Sequence, residues 1–568
     1  MRRTVLLTLI LALALPAAAR NKKVAADLPQ SGHSMDVIVQ FTTPPTQKHY
    51  DKVSRRGGTV KHDLSVVNGL HASMTPAQVD ALAEDPEVAH ISPDRSVRSL
   101  LDVTASTVGA DLAFRAGFDG TGIGVAVIDS GINPVWDLNQ GTAMSMSKSR
   151  IVYNQSFLST KQTADDLGHG THVAGILAGN GNISASAANS TRVFRGIAPR
   201  STLINLRVLD QNGSGTDSGV IAAIQTAISL KSKYNIRVIN LSLGRPVSES
   251  YTQDPLCQAV EAAYQAGIVV VVAAGNDGRD NSQGTNGYGT ITAPGNDPYV
   301  ITVGAMKSMD TPTRADDLIA TYSSKGPTAI DHIVKPDIVA PGNRVVSLLT
   351  NKSFLQSQSS TNLVPYSYYE NTTSTSASGN YFRLSGTSMA APVVSGAAAL
   401  LLQASPNLTP DQVKARLMLT AYKTFPTSSS FTDPTTGITY TDQYDIFTIG
   451  AGYLDIWAAL SSTAVASGVA KSPTAQYDPA TNSVYFVKDS SAMWGTSAMW
   501  GTTAIWGANV FVGSQSAMWG SSAMWGTSAM WGTSTSQGFS AMWGTSAMWG
   551  TSTPDGTEAV GILINGEN

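Results

Sequence analysis

Three short segments of the sequence carry residue types that together can form an activated nucleophile. Asp129 directly follows an apolar run, His169 opens a His-Gly-Thr-His pattern, and Ser388 lies among small residues. A serine hydroxyl is a poor nucleophile near neutral pH, so it needs a base to take its proton. An imidazole with an ordinary pKa of about 6.5 can be that base, and a carboxylate can fix its tautomer. The segments therefore predict catalysis with Ser388 as nucleophile, His169 as base and Asp129 as its orienting partner.

A fourth segment supplies a hydrogen-bond donor for the negative charge that such an attack creates. Asn276 ends the run Ala273-Ala274-Gly275-Asn276, and its amide can donate to an oxyanion together with the Ser388 backbone N–H. The apolar run after Ser388 predicts a helix whose N-terminus favours developing negative charge. Pro392 lies one turn into that helix. We expect proline to be tolerated there because an early helical N–H, which proline lacks, needs no intrahelical partner.

The elements that must position these residues alternate between strands and helices from about residue 104 to 462. Helical patterns separate short, continuously apolar segments, which are typical of strands buried on both faces. The predicted strands are 124–128, 238–243 and 268–274, and the predicted helices are 218–230 and 255–266. This alternation predicts an α/β domain in which a mostly parallel central sheet is covered by helices.

Residues 27–100 predict a separate, small α+β module. Strands are predicted at 36–41, 66–72 and 88–91, and Thr75 is positioned to cap a helix that begins at Pro76. Taken alone, this is a ferredoxin-like module without a recognisable site.

In their order along the chain, the four motifs resemble those of the subtilisin family of serine proteases. Asp, His, Ser is the subtilisin order, and it differs from the orders in chymotrypsin-like proteases and α/β-hydrolases. The resemblance spans about residues 104–462. It is carried by Val127-Ile128-Asp129-Ser130-Gly131, His169-Gly170-Thr171-His172-Val173-Ala174-Gly175, Ala273-Ala274-Gly275-Asn276 and Gly386-Thr387-Ser388-Met389-Ala390-Ala391-Pro392.

The resemblance implies a three-layer subtilisin-like fold and an endopeptidase that acts on protein or peptide substrates through an acyl-enzyme. It also implies a set of residues that flank the substrate pocket and pair with an extended substrate strand. These residues are Ser242, Leu243, Gly244, Ala274 and Gly275. Of the two histidines in the second motif, the resemblance makes His169 the base and His172 a structural residue. Asp165 and Asp166 are interpreted as loop carboxylates.

No cofactor is implied for catalysis, and the resemblance carries over no metal site. Residues 180–195 do not match the calcium-binding loop of well-known members, and Asp137 aligns only loosely with a calcium ligand. The sequence leaves a structural calcium ion open.

The two segments that precede the predicted catalytic domain, residues 1–19 and 27–100, indicate export as a self-inhibited precursor. Residues 1–19 are typical of a secretory signal, with two arginines, an apolar run from Val5 to Leu15 and three alanines at 17–19. The alternative for this segment is an N-terminal anchor. Residues 27–100 resemble the family's inhibitory propeptide, an intramolecular inhibitor. We therefore expect a secreted, extracellular protein.

Composition excludes several other classes of function. A net charge of -3 and a pI near 6.2 give no electrostatic footprint for nucleic acid. The single cysteine, Cys257, excludes an intrachain disulfide framework and is interpreted as a small core residue. After the N-terminal run, no stretch of about 20 residues lacks charges and glycines, so no membrane span is predicted.

Residues 463–568 form a predicted tail in which Ser-Ala-Met-Trp-Gly-Thr recurs. Eight of the ten tryptophans lie here. Within each run of repeats, the six-residue spacing places the Trp side chains on one face of an extended chain. Three interpretations stay open: a disordered stalk, a β-rich module packed on the catalytic domain, and a secretion or surface-attachment element. So large an exposed apolar surface would be unusual, which favours burial.

Two other functions remain as alternatives. The first is a catalytically idle adhesion or binding protein that displays the Trp repeat. The second is an ester or thioester hydrolase that uses the same three residues. If His169 is the base, we expect cleavage to fall below about pH 6 as the imidazole gains a proton.

Overall fold

The computed structural model of the protein describes residues 21–25, 28, 32, 34–93, 100–101, 103–141, 148–187, 189–282, 284–478, 483–487, 510–511 and 556–567. The chain divides into two compact units, residues 1–98 and 99–568. The predicted signal at 1–19 and the tryptophans of the predicted tail lie outside the described residues.

The first unit is a four-stranded antiparallel sheet with two helices. Its elements are β1 (Met35–Phe41), α1 (Gln47–Arg55), β2 (Thr59–Leu64), β3 (Gly69–Met74), α2 (Pro76–Ala83) and β4 (Val88–Pro93). The strand order β2-β3-β1-β4 and the βαββαβ sequence are those of a ferredoxin-like module. Alternate residues of β1, Val37, Val39 and Phe41, enter a core with Val53 of α1 and Leu82 of α2.

The sequence identified part of this unit. The helix begins at Pro76, and the Thr75 hydroxyl accepts a hydrogen bond from the Gln78 N–H in a capping box. The strand predicted at 66–72 begins only at Gly69, because Ser65–Val67 forms a 3₁₀ turn and Asn68 adopts a left-handed conformation with φ of 53°. Helix α1 and strand β2 were not predicted, since their residues are mostly polar.

The second unit contains the remaining described elements. As far as residue 341 they are β5 (Leu100–Leu101), α3 (Val103–Thr107), α4 (Ala110–Arg115), β6 (Gly124–Asp129), β7 (Ile151–Ser156), α5 (His169–Ala178), α6 (Asn182–Ala185), β8 (Arg192–Val193), β9 (Thr202–Arg207), α7 (Asp217–Tyr234), β10 (Ile236–Leu241), α8 (Pro255–Gln265), β11 (Val269–Ala273), β12 (Ile301–Lys307), β13 (Leu318–Ile319) and β14 (Ile338–Pro341). After it come β15 (Val345–Leu348), α9 (Phe354–Gln358), β16 (Leu363–Pro365), β17 (Ala377–Leu384), α10 (Thr387–Ala404), α11 (Pro410–Thr420), β18 (Ser428–Thr432), β19 (Thr439–Gln443), α12 (Ile446–Ile449), α13 (Ile456–Ser461), β20 (Thr474–Asp478), β21 (Ser483–Val487), β22 (Val510–Phe511) and α14 (Gly556–Asn565).

The central sheet has the order β13-β12-β11-β10-β6-β9-β7, with β14 also paired to β12. Its pairs are parallel except that of β12 with β13. Within β6, Val125 and Val127 face one core, which contains α5 and α10 residues. Ala126 and Ile128 face the other, which contains α7 and α8 residues. The predicted α/β three-layer fold is thus confirmed, and continuous apolarity in β6 follows from burial on both faces.

The carboxyl ends of β6 and β10 lie side by side, since Leu241 pairs with Ile128. From β6 the chain continues to β7 and β9 on one side of the sheet, and to β10, β11 and β12 on the other. Such a switch in strand order opens a crevice at the carboxyl edge, where ligands bind in open α/β sheets. Asp129 ends β6 and Ser242 directly follows β10, so both lie at this edge.

Helix α10 crosses the middle of the second unit. It is the one described helix long and apolar enough to span a membrane, but 83% of that stretch is buried inside the protein. A central core helix has the same length and composition.

Candidate active site

The Asp129 carboxylate and the His169 imidazole form a buried pair at the carboxyl edge of the sheet. Asp129 Oδ1 lies 2.7 Å from His169 Nδ1, and the two side chains are 1% and 7% exposed. Because a carboxylate only accepts, Nδ1 carries the hydrogen and donates it. Nε2 is then left with a free lone pair, which is the tautomer that a general base requires.

The surroundings of His169 raise its proton affinity. Burial lowers the pKa of the imidazole, but the nearby Asp129 and Asp165 carboxylates and the hydrogen bond to Asp129 outweigh this effect. The pKa of His169 therefore lies above its ordinary value of 6.5. The expected fall of cleavage below about pH 6 stays a prediction, and a raised pKa means that the fall should begin at a higher pH than for an ordinary histidine.

Asp165 is a second buried carboxylate, and it holds the start of α5. Its oxygens accept hydrogen bonds from the Ser130 hydroxyl at 2.8 Å, the Gly168 N–H at 2.7 Å and the Thr171 N–H at 2.8 Å. The Ser130 oxygen in turn accepts from the Gly170 N–H at 2.9 Å. The interpretation of Asp165 as a loop carboxylate was incomplete. A signal was present, since it lies four residues before His169.

Asp166 differs from its neighbour. Its side chain is 46% exposed and pairs with Arg207 at 3.1 Å, which agrees with its interpretation as a loop carboxylate.

Ser388 is the second residue of α10, and its side chain lies over the end of β10. The Ser388 hydroxyl donates to the Ser242 carbonyl at 3.2 Å. Within the described residues, no hydrogen bond joins that hydroxyl to His169. Hydrogen bonds of this kind are often long in unliganded enzymes and shorten when substrate is bound.

Pro392 explains a second contact between the same two serines. As the sixth residue of α10, Pro392 lies beyond the positions whose N–H groups lack intrahelical partners, so the reason expected from the sequence was wrong. The missing N–H would have bonded to the carbonyl of Ser388, four residues earlier. The Ser242 hydroxyl takes its place and donates to that carbonyl at 2.8 Å.

Asn276 is half-buried beside the start of α10, and its amide nitrogen makes no hydrogen bond recorded among the described residues. Its Oδ1 accepts from the Thr387 N–H at 2.9 Å and the Thr387 hydroxyl at 3.1 Å, which fixes the amide orientation. Gly386 adopts φ of +138°, and a Cβ there would lie 3.3 Å from Asn276 Nδ2. Glycine therefore both permits the turn and leaves the donor uncovered. Thr387 is a supporting residue that sequence reasoning missed.

Two backbone segments border this edge of the sheet, and they differ in how far they are paired. In Ala274 and Gly275, backbone groups are taken by Thr292, Thr387 and Ser324. Leu243 and Gly244 make no backbone hydrogen bond recorded among the described residues, and Gly244 is exposed. An extended substrate would find free backbone donors and acceptors at 243–244.

His172 and Cys257 are buried away from the chemistry. The His172 Nε2–H donates to the Phe382 carbonyl at 3.1 Å, and burial lowers the pKa of His172 to about 3. The Cys257 thiol donates to Asn296 Oδ1 at 3.2 Å, and burial raises its pKa. Both environments fit the predicted structural roles.

Asp137 is occupied by protein donors. Its carboxylate accepts from the Tyr381 hydroxyl at 2.9 Å and the Ile183 N–H at 2.8 Å, and burial raises its pKa to about 6. Among the residues that the structure describes, no group of three or more His, Cys, Asp or Glu side chains is arranged to hold a metal ion.

Comparison with known proteins points to one family. The sequence profile of the subtilase family matches residues 120–452. The serine protease AprX of Bacillus subtilis is 35% identical over 407 residues, covering 68% of this chain and 83% of that protein. Subtilisin E of the same organism is 34% identical over 378 residues, covering 66% and 81%. Subtilisin DY of Bacillus licheniformis is 35% identical over 315 residues, covering 55% and 89%.

Proposed function

The chain belongs to the subtilase family and is a subtilisin-like serine protease, and on this basis we propose that it is a secreted endopeptidase made as a self-inhibited precursor. In this proposal Ser388 is the nucleophile, His169 the base, Asp129 its orienting group and Asn276 an oxyanion donor. The observation that carries it is the buried Asp129–His169 hydrogen bond of 2.7 Å. Ser388 supports it from the neighbouring strand end, where its hydroxyl contacts Ser242.

The proposed reaction begins when the Ser388 hydroxyl leaves the Ser242 carbonyl and attacks the substrate carbonyl carbon. His169 Nε2 takes the hydroxyl proton, and the imidazolium is stabilised by Asp129. The carbonyl oxygen becomes an oxyanion that accepts hydrogen bonds from Asn276 Nδ2 and the Ser388 N–H. His169 then gives the proton to the leaving amine, which leaves an acyl-enzyme. Water repeats the sequence and releases the acid.

Substrate would bind as an extended strand along the backbone of Ser242, Leu243 and Gly244. The uncovered backbone of Leu243 and Gly244 supports this side of the pocket. Ala274 and Gly275 would border the opposite side, although their backbone groups are largely paired within the protein. Ala274 and Gly275 would therefore leave room for the substrate rather than pair with its backbone.

The first unit would act as the inhibitory propeptide. Its ferredoxin-like sheet and separate core of Val37, Val39 and Leu82 support an independently folding module. Residues 1–19 would direct export, and removal of residues 27–100 would release the active protease outside the cell.

The test compares the wild type with Ser388→Ala, and the matched control is Ser248→Ala at an exposed serine. We expect Ser388→Ala to lose casein cleavage by a factor on the order of 10⁶ and to remain at precursor mass. The wild type and Ser248→Ala should be shortened at the N-terminus, as read by mass spectrometry.

A fluorophosphonate probe separates this proposal from the idle-scaffold alternative. The probe should label the matured wild type at Ser388 and leave Ser388→Ala unlabelled. Equal cleavage by Ser388→Ala would refute the assignment of the nucleophile. Folded, matured wild type that takes no label would favour an adhesion protein, and parallel peptide and ester assays would identify an esterase.

A further inference from the structure

A buried carboxylate joins the chain after the last described helix to the interior of the second unit. Glu567 follows α14, and its side chain is 0% exposed. Oε1 accepts from the Arg279 guanidinium at 2.9 Å and from the Thr321 N–H at 2.8 Å. Oε2 lies 2.7 Å from Lys307 Nζ. Within the described residues, Lys307 has no other carboxylate at ion-pair distance, so Glu567 neutralises a cation that is itself buried.

The backbone around Glu567 is held as closely as its side chain. The Glu567 N–H donates to Asn343 Oδ1 at 2.8 Å, and Asn343 Nδ2 donates back to the Glu567 carbonyl at 2.7 Å. At Gly566, φ is +58° and a Cβ would lie 2.2 Å from the Ser385 hydroxyl oxygen. Ile562 of α14 is 8% exposed and belongs to the core that contains α5 and α10. Residues 562–567 are thus bound by charge, backbone and apolar contacts.

The contacts of residues 562–567 extend to the turn that directly precedes Ser388. The Ser385 N–H donates to the Leu563 carbonyl at 2.9 Å, and the Gly386 N–H donates to the Gly342 carbonyl at 2.8 Å. Gly342 precedes Asn343, the residue paired with Glu567. The last described segment therefore contacts the turn before the nucleophile directly at Ser385, and indirectly through 342–343.

We propose that residues 556–567 are a positioning element of the active site, bound in a receptor formed by Arg279, Lys307, Thr321 and Asn343. The receptor takes a glutamate carboxylate that directly follows glycine, and the docked segment holds Ser385 and Gly386 so that Ser388 keeps its place. This inference takes the role of Ser388 from the proposed function. It also means that residues 488–555, which carry the Trp repeat, join two segments of the same unit.

The chemistry of the receptor makes it selective. Arg279 and Lys307 are both largely buried, with side chains 9% and 7% exposed, and buried cations need an anionic partner. A glutamine at 567 could still accept from Thr321, and Arg279 keeps Asp433 at 3.0 Å, but Lys307 would lose its carboxylate partner. The segment should therefore dock through Glu567 rather than through its apolar face alone.

The first experiment measures docking and does not depend on catalysis. A recognition sequence for a site-specific protease is inserted between Gly550 and Thr551 in the full chain, which carries Ser388→Ala to prevent self-digestion. After cutting, we expect the fragment that begins at Thr551 to stay bound during gel filtration. Glu567→Gln should release it, whereas Glu558→Gln, which removes the same charge from the same fragment, should not. Release of the fragment from the Glu567 protein would overturn the receptor.

The second experiment measures positioning in the active full chain. We expect Glu567→Gln to lower kcat about 10- to 100-fold, the scale of a displacement near 1 Å, while KM changes less than about threefold. The measurement is made well below the Tm of each variant. In a further step, the active chain that carries both the inserted site and Glu567→Gln is cut. Addition of a synthetic peptide of residues 551–568, with Glu567 unchanged, should then restore kcat. Should Glu567→Gln fail to fold, Lys307→Met replaces it. This variant removes the partner of Oε2, so kcat should fall in the same direction, by less than in Glu567→Gln because Arg279 and Thr321 still hold Oε1; an unchanged kcat would overturn positioning.

The outcomes separate the two proposals. An unchanged kcat after the fragment has been released would overturn positioning, even if the receptor binds as expected. Cleavage by Ser388→Ala would instead refute the proposed nucleophile and leave the docking result valid.

Discussion

His169 and Ser388 both lie in the first turn of a helix, but the two helix starts are held in different ways. At the start of α5 the contacts come from nearby in the chain and from the end of β6: Asp165 accepts from Gly168 and Thr171, and Ser130 accepts from Gly170. At the start of α10 they come from four distant segments, which contribute Ser242, Asn276, Gly342 and Leu563.

The difference follows from what each side chain has to do in the proposed mechanism. A base needs a fixed tautomer and a tuned pKa, and buried carboxylates beside the ring provide both. A nucleophile has to face the substrate, so its own hydroxyl must stay free to move. Its position is therefore set through the backbone, by groups that approach from behind. We expect substitutions near His169 to alter proton transfer, and substitutions around Ser388 to alter geometry.

The largest effect should come from Asp129→Asn. An asparagine whose amide nitrogen faces the ring donates to Nδ1, so His169 would take the other tautomer and Nε2 could no longer accept a proton. In either orientation of the amide, the charge that stabilises the imidazolium is lost. We expect kcat to fall about 10⁴-fold with little change in KM. Asp316→Asn, at an exposed carboxylate, is the matched control. Retention of more than a tenth of wild-type kcat in folded Asp129→Asn would show that the pair does not orient the base.

The next largest effect tests the donor beside Ser388. Asn276→Ala removes both the donor and the acceptor for Thr387. Asn276→Asp keeps the acceptor, replaces the donor by a second oxygen and adds a negative charge. If oxyanion stabilisation dominates, both variants should lose about 10²–10³ in kcat. If the amide mainly positions Thr387, Asn276→Asp should stay close to wild type. Steady-state kinetics on a chromogenic peptide, with Tm measured in parallel, distinguish these results.

A smaller effect is expected in the pH dependence, and it tests the carboxylates around His169. Only the neutral imidazole accepts a proton, so activity falls as pH decreases through its pKa. Because that pKa is raised above 6.5, the acid limb of kcat/KM should lie above pH 6.5. Asp165→Asn removes one of the charges that raise it, so the limb should move to lower pH. A limb at or below pH 6.5 in the wild type would contradict the stated electrostatics.

The same contrast explains how much the sequence could predict. The core strands and the Asp129, His169, Ser388 and Asn276 motifs were recognisable because each is a short run of distinctive residues. The role of Asp165 could have been predicted, because it lies only four residues before His169. The contacts that support Ser388 could not, because Ser242 and Glu567 are far from it in sequence and come near it only in the folded chain. Glu567 follows a long repeat and resembles any polar residue after a helix.

The smallest effect tests the contact between Ser242 and the carbonyl of Ser388. Ser242→Ala leaves that half-buried carbonyl without a donor, because Pro392 has no N–H to offer, and should cost about 1 kcal/mol of unfolding free energy. Pro392→Ala in the same chain restores a helical N–H to the carbonyl, so the double variant should recover part of the loss. Denaturant unfolding of the two single variants and the double variant forms a mutant cycle. Strict additivity would mean that the proline and the serine hydroxyl do not share this carbonyl, and that the nucleophile is supported by its other contacts alone.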